Sequence, residues 1–591
     1  MVFGKNVNRY YLKYWYFIAI GVVSLLIVDI FGSVLPPLIA SDIVDHIDKG
    51  LISIDNYKDY LIPQALKLLG CALVSFVSRF LWRFGFMSIG HRVARDLRHR
   101  MFKNSLTLSQ TFYNDNKVGG LMSYYINDVQ AVEESFAWGI METFDSLFLT
   151  SIILFEMFSA SWQITLFCLI PLVLILVIAL SSDIVLERRY KVRQDNFEKL
   201  SDFTQESFSG IRVIKAFVRE RKEYEAFMVR NKENEEANMR YLRFDILFMN
   251  FIELFIWGAY FAIIFAGAYF NLVRGEITIA VLILFVKYFD TLIWPMFAIS
   301  EIINIRSRGK ASLVRIDEIL NAKSDLIDTC DPVPLGDIKG AIKFDHLTFC
   351  YPSKKDIKAL DDVSFEIKPG EFVGIIGRTG SSKTTLVNLL LRLYNVGENQ
   401  IFIDDVDIMK YSVKDVRSLI GYVPQDNFLY SSTIESNIAF SSKKSDINQV
   451  IKNAKIAGVH KDISEFKEGY STILGERGVS VSGGQKQRIS IARALYKDPK
   501  ILILDDSLSA VDTKTESEIL QYLKEERKGR TTILIAHRVS SIKDADKILV
   551  LDSGGKLSGF DNHENLLKNN TIYKSIYNLQ KLEEEGGVEH V

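Results

Sequence analysis

Residues 372–384 have the sequence FVGIIGRTGSSKT, in which a short apolar run leads directly into a glycine-containing loop that ends in lysine and threonine. The apolar run is typical of a buried strand, and we expect a helix to follow the loop. Such a loop presents a row of backbone N–H groups at the N-terminus of the helix, where the N–H donors and the helix dipole favour phosphate. The stretch therefore predicts a phosphate-binding loop in an α/β domain.

The individual residues of this loop indicate a nucleotide. Lys383 is placed to reach the β- and γ-phosphates, and the hydroxyl of Thr384 to ligate Mg²⁺. Ser382 stands where the motif has glycine, and a residue other than glycine at a strained loop position costs on the order of 1 kcal/mol. The residues that we expect to contact ATP are Gly377, Arg378, Thr379, Gly380, Ser381, Ser382, Lys383, Thr384 and Thr385.

A second apolar run, ILILD at residues 501–505, ends in the carboxylate of Asp505. A single strand that ends in aspartate can be ordinary turn chemistry. In phosphate-loop ATPases, however, an aspartate at the end of a buried strand helps to hold Mg²⁺. Together with the loop at 377–384, Asp505 predicts ATP and Mg²⁺ as the cofactors.

The amino-terminal half of the chain has a different composition, because residues 1–300 contain nearly all of the long apolar runs. A helix that crosses a membrane needs about 20 mostly apolar residues. Six stretches meet this requirement: 14–40, 61–88, 136–160, 162–185, 244–272 and 277–303. We therefore predict six transmembrane helices, with a short turn at 271–276 between the last two.

Charge and cysteine content exclude other classes of protein. The 71 Lys and Arg residues nearly balance the 72 Asp and Glu residues, so no overall basic field indicates nucleic-acid binding. The four cysteines are far apart and have no spacing typical of a metal site or a disulfide framework, which suits a reducing cytosol.

The distribution of basic residues predicts the orientation of the membrane domain. Arginine and lysine are frequent in the long stretches 89–135 and 186–243, whereas the loop at 41–60 is rich in aspartate. Because Lys and Arg are enriched on the cytoplasmic side of membranes, we expect both termini and both long stretches to be cytosolic. Helices that extend beyond the bilayer on this side would carry the cytosolic domain.

Between the two ATPase segments lies Val481-Ser482-Gly483-Gly484-Gln485, and here the sequence resembles an ATP-binding cassette (ABC) protein. The resemblance runs in order through residues 341–567. Other matching positions are Tyr351, Gln425, Gly475-Glu476-Arg477-Gly478, Ser509-Ala510-Val511-Asp512 and His537.

The ABC resemblance assigns a role to each position. Tyr351 resembles the aromatic residue that stacks on adenine, and the 475–478 loop resembles one that touches the coupling helices of exporters. Asp506 stands where the family has its catalytic glutamate, and His537 matches the histidine that holds the γ-phosphate. The implied catalytic residues are Asp506, His537 and Gln425, the implied Mg²⁺ ligands are Thr384, Gln425 and Asp505, and the signature motif acting on a partner's nucleotide is Val481, Ser482, Gly483, Gly484 and Gln485.

The membrane half is similar to that of type IV ABC exporters. Residues 111–122 and 209–217 resemble the two coupling-helix regions of these proteins. We expect a transmembrane domain at 1–320, a linker at 321–340, an α/β phosphate-loop ABC domain at 341–581 and a disordered acidic tail at 582–591. The resemblance places the protein in the bacterial cytoplasmic membrane, in contact with lipid.

The nucleotide site departs from the family pattern in two places. Aspartate is one methylene shorter than glutamate, so Asp506 has about 1.5 Å less reach, and a misplacement of about 1 Å can cost on the order of 100-fold in rate. Ser382 is the second departure, whereas the signature motif is close to normal.

This one-sided pattern has a consequence for the partner. In ABC proteins each nucleotide lies between the phosphate loop of one subunit and the signature motif of the other, so the chain must dimerise. It resembles the weak-site (LmrC- and BmrC-like) subunits of heterodimeric bacterial multidrug exporters. We expect a second, non-identical half-transporter as the partner; a slow homodimer is the alternative.

Charged residues within the predicted transmembrane helices are candidates for the substrate cavity, because they are costly at that depth. The candidates are Asp29, Asp145, Glu156, Glu253 and Asp290. For Asp290 we favour an ordinary interpretation, a self-neutralising pair with Lys287, which lies three residues before it on the same helix. With Trp138, Trp294 and many phenylalanines, these acids suit small amphipathic, cationic aromatic substrates.

Two classes of function remain after these considerations. The first is an ATP-driven exporter of amphipathic compounds or drugs, with lipid, haem-like or peptide cargo as alternatives. The second is a regulator or gated channel that uses ATP as a switch without transport. Both classes share every motif described above.

Overall fold

The computed structural model describes residues 4–52, 57–116, 118–274, 278–475 and 481–586. The chain divides into two compact units. The first runs to Leu106 and from Val118 to Ala322, and the second contains Thr107–Lys117 and the chain from Lys323 onward. The sequence placed the end of the transmembrane domain at residue 320, two residues from this boundary.

In the described residues of the first unit, all regular secondary structure is helical. Its α-helices are α1 (Asn8–Lys13), α2 (Trp15–Val28), α3 (Leu35–Asp48), α4 (Tyr57–Ser105), α6 (Val118–Ser123), α7 (Val129–Ala160), α8 (Trp162–Ser209), α9 (Ile211–Ala216), α10 (Glu220–Arg274) and α11 (Ile279–Asn321), and α5 (Gln110–Asp115) belongs to the second unit. Two π-helical segments, Asp29–Val34 and Tyr124–Asp128, connect α2 to α3 and α6 to α7.

Among the described residues, six helical segments are long and apolar enough to cross a membrane. They are Trp15–Asp48, Tyr57–Ser105, Val118–Ala160, Trp162–Ser209, Glu220–Phe270 and Ile279–Asn321. This confirms the predicted six transmembrane helices. Each is longer than predicted, because the charged stretches continue the same helices without a break. At about 1.5 Å per residue, the 55 residues of α10 extend about 82 Å, far more than the hydrocarbon core of about 30 Å.

The first transmembrane helix widens into a π-helical turn at Asp29–Val34. The N–H of Leu35 bonds to the carbonyl of Ile30, five residues earlier. Pro36 follows immediately, and proline both lacks an N–H and clashes with the carbonyl four residues before it. The wider turn gives the chain room at this clash, and π-helical turns are frequent at functional sites.

The second unit combines two sheets with short helices. Its strands are β1 (Ile342–Cys350), β2 (Lys358–Ile367), β3 (Phe372–Gly377), β4 (Ile401–Ile403), β5 (Val406–Asp407), β6 (Ile420–Val423), β7 (Ile501–Asp505), β8 (Thr531–Ile535), β9 (Lys547–Leu551) and β10 (Leu557–Asp561). Its other α-helices are α12 (Lys383–Leu390), α13 (Val413–Leu419), α14 (Ile434–Ile438), α15 (Ile447–Ile456), α16 (His460–Glu465), α17 (Gly483–Tyr496), α18 (Thr513–Glu526), α19 (His563–Asn569) and α20 (Thr571–Gly586).

The larger sheet places the nucleotide motifs together. In the described residues its order is β10-β9-β3-β8-β7-β6, with β3 parallel to β8 and β9, and β7 parallel to β6 and β8. Alternate residues of β7 belong to the apolar clusters on opposite faces of the sheet, so the strand is buried on both sides. This explains its uninterrupted apolar sequence. The smaller sheet, β2-β1-β4-β5, is antiparallel.

Three expectations concern the ends of elements. The final helix α20 continues to Gly586, so residues 582–586 are helical where the sequence predicted a disordered tail. Helix α10 likewise continues to Arg274, into the stretch 271–276 predicted as a turn. The rest of the predicted tail and turn, and residues 476–478 of the loop at 475–478, lie outside the described residues.

Candidate nucleotide-binding site

The carboxyl ends of three neighbouring parallel strands bring the predicted site residues together. Strand β3 ends in the phosphate-binding loop, β7 ends at Asp505, and β8 leads to His537. Ligands of open α/β sheets bind at this edge. A cavity of about 320 Å³ lies there and is lined by Thr379, Gly380, Ser381, Ser382, Lys383, Thr384, Thr385, Gln425, Asp505, Ile535 and His537.

The loop has the strained backbone that its sequence suggested. Ser382 precedes α12 with φ 64° and ψ 27°, in the left-handed region, and its side chain makes no capping hydrogen bond. Gly380 also has a positive φ, 84°. Glycine tolerates this region freely, whereas serine does so at a cost of about 1 kcal/mol. Ser382 therefore replaces glycine at a position whose geometry favours glycine.

Lys383 is held inside the loop. Its Nζ donates to the carbonyl of Gly377 at 2.9 Å and to that of Arg378 at 3.2 Å, and only 7% of the residue is exposed. Burial lowers the pKa of Lys383 from its ordinary value, although the carboxylates of Asp505 and Asp506 oppose this shift. The ammonium group is therefore positioned at the loop by two backbone carbonyls, with a third N–H to offer to a phosphate oxygen.

Two of the predicted Mg²⁺ ligands, Asp505 and Thr384, are in direct contact. The Thr384 hydroxyl donates to Oδ1 of Asp505 at 3.3 Å, while Oδ2 is buried and makes no hydrogen bond of ordinary geometry within the described residues. Burial raises the pKa of Asp505 above its ordinary value. Gln425 lines the same cavity. A hydroxyl, a carboxylate with an unsatisfied oxygen and an amide fit a hard cation that prefers oxygen ligands.

Asp506 does not line this cavity in the described structure. It borders a smaller adjacent cavity of about 80 Å³, and His537 lines both. The backbone of Asp506 has φ 47°. Its N–H donates to the carbonyl of Ile535 at 3.0 Å, and its own carbonyl accepts from the Ser509 hydroxyl at 3.0 Å. These two bonds hold the backbone of Asp506, and a backbone shift that compensated for the shorter side chain would have to break them.

Tyr351 lies beside the start of α12. Its hydroxyl is hydrogen-bonded to Oγ1 of Thr385 at 2.8 Å, and its ring packs edge-on against Tyr394 at 5.2 Å. The hydroxyl of Tyr394 accepts a hydrogen bond of 2.8 Å from Asn114 in α5. The aromatic residue predicted to stack on adenine is therefore close to the phosphate loop and to the 107–117 segment.

The signature motif begins helix α17. Ser482 Oγ accepts from the N–H of Gln485 at 3.2 Å, and Gln485 Oε1 accepts from the N–H of Ser482 at 3.0 Å, which together form a capping box. Ser482 and Gly483 are exposed. A Cβ on Gly484 would lie 2.8 Å from the carbonyl oxygen of Ala510, so this position needs glycine. The start of this helix is exposed and its cap is formed, and the action of the motif on a partner's nucleotide stays a prediction.

Sequence reasoning missed two glutamines that connect these motifs. Gln487 in α17 is buried, donates to Ser509 Oγ at 3.3 Å and accepts from the N–H of Ala510 at 3.0 Å. Gln580 in α20 accepts from the N–H of Val539 at 2.8 Å and donates to the carbonyl of His537 at 2.6 Å. A polar residue on the buried face of α17 could have indicated Gln487. Nothing local in the sequence indicates Gln580.

The acidic residues of the membrane unit have different environments. Asp29 is 2% exposed and forms a hydrogen bond with the partly buried Asp145. Glu156 is partly buried near Tyr288, whereas Glu253 is exposed on α10. The substrate-cavity candidates therefore do not form one cluster.

The predicted Lys287–Asp290 pair is wrong for the described structure. Asp290 accepts a hydrogen bond of 2.8 Å from the Tyr260 hydroxyl, and among the described residues it forms no ion pair with Lys287. The spacing of three residues brings two side chains near one helix face, but a tyrosine on α10 provides the hydrogen bond instead.

The fold and the site define an ATPase domain joined to a membrane domain, and comparison with known proteins agrees. Residues 18–296 match the family described as the ABC transporter transmembrane region, and residues 360–509 match the ABC transporter family. A bacterial Atm1-family ABC exporter with ATP bound has the same fold, with a TM-score of 0.77 and 24% identity over 97% of this chain and 98% of that one.

Relatives of known sequence extend this result to the whole chain. It is 38% identical to the probable multidrug resistance ABC transporter ATP-binding/permease protein YheI of Bacillus subtilis (strain 168), over 99% of both chains. It is 35% identical to the multidrug resistance-like ATP-binding protein MdlA of Escherichia coli (strain K12), over 96% of both. It is 33% identical to the ATP-dependent lipid A-core flippase of Syntrophus aciditrophicus (strain SB), over 89% of this chain and 87% of that protein.

The chain belongs to the ABC transporter family. It is a multi-pass membrane protein of the exporter type, and its ATPase domain uses ATP and Mg²⁺ and couples hydrolysis to transport. The predicted fold class and cofactors are confirmed. The roles of the individual site residues stay predictions.

Proposed function

We propose that this chain is the weak-site subunit of a heterodimeric ABC exporter that expels amphipathic compounds or drugs. The observation that carries the proposal is the position of Asp506, which borders the cavity beside the phosphate loop and not the phosphate cavity itself. Its backbone is fixed by hydrogen bonds to Ile535 and Ser509, so the missing methylene shortens its reach toward an attacking water.

The other features of the two half-sites support an unequal pair. Ser382 adds a strained residue to the loop of the same site, at φ 64°. The signature motif, which would complete the partner's site, has its capping box and its glycine contact intact. An exporter with two copies of this chain would have two impaired sites. A partner with glutamate at the position of Asp506 would give the complex one efficient site.

The cargo is proposed from the relatives and from the membrane unit. Two relatives are named for multidrug resistance and one is named as a lipid A-core flippase. Intramembrane carboxylates and exposed tryptophans, such as Trp138 and Trp294, suit an amphipathic substrate. Lipid is the second candidate, favoured by the flippase relative.

We also propose that both termini and the two long charged stretches face the cytosol of a bacterial cell. Arginine-rich segments follow the second and fourth transmembrane helices, at 92–100 and 188–193. Lys and Arg near the ends of transmembrane helices mark the cytoplasmic side. ATP, which the ATPase domain uses, is also on this side.

The test is to purify the tagged chain from its native membrane, identify the proteins that accompany it by mass spectrometry, and reconstitute the complex into proteoliposomes. The proposal predicts a second half-transporter, and ATP-driven movement of a fluorescent amphipathic dye that the chain alone does not support. A fully active homodimer would contradict the unequal pair. ATP hydrolysis without movement of the dye or of a labelled lipid would favour a regulator.

A further inference from the structure

Two carboxylic acids meet inside the membrane unit. Asp29, at the start of the π-helical turn, and Asp145 of α7 are hydrogen-bonded to each other through their side chains. Neither carboxylate has a hydrogen to donate when both are ionised, so this bond requires one proton on the pair. Two adjacent negative charges away from water would also repel each other strongly. The two aspartates therefore share a proton.

The surroundings of the pair leave hydrogen-bonding capacity unused. Trp294 of α11 donates from Nε1 to Oδ2 of Asp145 at 3.1 Å. Oε2 of Glu142, in a residue 8% exposed, has no hydrogen-bond partner within the described residues. Buried carboxylate oxygens normally find a donor. An unpartnered buried oxygen beside a proton-sharing pair is an arrangement suited to a cation.

The charged groups on the neighbouring helices do not neutralise the pair. On α11, Glu301 faces Glu142 and is itself paired with Arg308 at 3.4 Å. On α4, Arg79 lies 3.9 Å from the position of a Cβ built on Gly32, close to Asp29 in the chain. In the described structure, neither arginine is among the groups that interact with Asp29 or Asp145. The local charge is therefore negative once the shared proton leaves.

Aromatic surface lies on the same side of α7. Trp138, Glu142 and Asp145 are spaced i, i+4 and i+7, which places them on one helix face. Trp138 is 43% exposed and Trp294 is 53% exposed. The faces of indole rings attract cations, most strongly where water is excluded. A flat or bulky aromatic cation could therefore lie against the tryptophans with its charge at the carboxylates.

We propose that the Asp29–Asp145 pair binds the charged group of an amphipathic monocation in exchange for its shared proton. One positive charge enters and one proton leaves, so the net charge of the site does not change. Because the proton competes with the cation, the apparent affinity should rise with pH, by up to about tenfold per pH unit while the pair still holds its proton. The proposal specifies the substrate class within the proposed export function, but binding itself needs no ATP hydrolysis.

The test uses the full chain, with any co-purified partner, in lipid nanodiscs. The probe is tetraphenylphosphonium, a permanent monocation that cannot carry the proton, and triphenylphosphine oxide is a neutral aromatic control of similar shape. Calorimetric titration in two buffers with different ionisation enthalpies counts the protons released. We expect about one proton per tetraphenylphosphonium bound, and none for the neutral probe.

Substitutions assign the effect to the pair. Asp29→Asn and Asp145→Asn should each weaken tetraphenylphosphonium binding by about tenfold or more and abolish proton release, with binding of triphenylphosphine oxide retained. Asp195→Asn, which removes an exposed carboxylate of α8 that is not a cavity candidate, is the matched control and should change neither measurement. Retained binding of the neutral probe shows that a variant is folded.

Equal tetraphenylphosphonium affinity in the parent and both asparagine variants, or cation binding without proton release, would overturn the proposal. The result also separates this proposal from the proposed function. Proton-linked binding without ATP-driven movement of any dye would refute export and leave the cation site intact. Export of neutral dyes without proton-linked cation binding would refute the cation site and leave the proposed export function intact.

Discussion

Ser382 and Asp506, the two residues that depart from the family pattern at the nucleotide site, both have left-handed backbones, with φ 64° and 47°. Glycine adopts this region without cost, and aspartate adopts it more readily than most other residues. For Ser382 no side-chain hydrogen bond offsets the cost of this conformation, because its hydroxyl does not cap α12. The two departures thus differ in kind: Ser382 strains the loop, whereas Asp506 suits its backbone and falls short in reach.

Replacing Ser382 with glycine should relieve the strain. We expect Ser382→Gly to stabilise the ATPase domain by about 1 kcal/mol, less the entropy that glycine adds to the unfolded chain. Thermal unfolding monitored by domain-specific fluorescence measures the effect. Thr379→Gly is the control, because Thr379 is an exposed residue of the same loop without a positive φ, and it should not stabilise. Equal effects of the two substitutions would show that the backbone at Ser382 is not strained.

Lengthening the side chain of Asp506 should partly restore hydrolysis at this chain's own site. We expect Asp506→Glu to raise the rate of single-turnover hydrolysis by about tenfold. A misplacement of about 1 Å can cost on the order of 100-fold in rate. The gain should be smaller than this, because glutamate fits the left-handed backbone less well than aspartate and because Ser382 remains. The measurement uses the complex in which the partner's catalytic glutamate is replaced by glutamine. Asp506→Asn, which keeps the length and removes the charge, should give no gain. An unchanged rate for Asp506→Glu would mean that reach does not limit this site.

The loop carrying His537 should depend on the final helix. Gln580 bonds to the backbone on both sides of Arg538, so Gln580→Ala removes two hydrogen bonds that order the loop, worth about 0.5–1.5 kcal/mol each. We expect ATP to dissociate faster from this chain's site, together with a modest loss of thermal stability. Asn578→Ala, which truncates an exposed amide on the same helix, is the control. Stopped-flow measurement of the release of a fluorescent ATP analogue compares the two variants. Equal release rates for Gln580→Ala and Asn578→Ala would exclude a role for Gln580.

The raised pKa of Asp505 predicts how Mg²⁺ binding depends on pH. Burial disfavours the ionised carboxylate, so Asp505 takes up a proton at a higher pH than an ordinary aspartate, whose pKa is about 3.9. A protonated Asp505 cannot hold the cation, so the Mg²⁺-dependent part of ATP affinity should fall as pH decreases, beginning above pH ~4. Titrations of a fluorescent ATP analogue at successively lower pH measure this, with EDTA samples as the control. A Mg²⁺ contribution that stays constant down to the pH at which an ordinary aspartate takes up its proton would contradict the raised pKa.

The sequence predicted the fold class and the gathering of the nucleotide motifs because both depend on local patterns. Apolar runs of sufficient length predict transmembrane helices, and a strand that ends in a glycine loop or a carboxylate can occupy only a few places in a parallel sheet. The strained backbone at Ser382 could be predicted because the phosphate-loop motif has glycine at this position. These features need no knowledge of distant contacts.

The remaining features depend on contacts between residues far apart in the chain. Asp29 and Asp145 come from different helices, and a search for a nearby basic residue in the sequence cannot find an acidic partner. Gln580 reaches the His537 loop from the last helix. For Asp290, the prediction considered only its own helix, but the tyrosine that binds it belongs to α10. Local spacing shows which residues share a face, and only the tertiary structure shows what that face meets.

The central claim is that this chain completes an efficient site in a different partner while its own site turns over slowly. The most direct test compares Ser482→Ala with Asp506→Ala in the steady-state ATPase rate of the assembled complex. Ser412→Ala, which removes a serine cap of the same kind from α13, is the control for loss of helix capping. We predict that Ser482→Ala lowers the rate by about tenfold or more, whereas Asp506→Ala and Ser412→Ala change it by less than about twofold. Equal losses from Ser482→Ala and Asp506→Ala, as expected of two identical sites, would contradict the account.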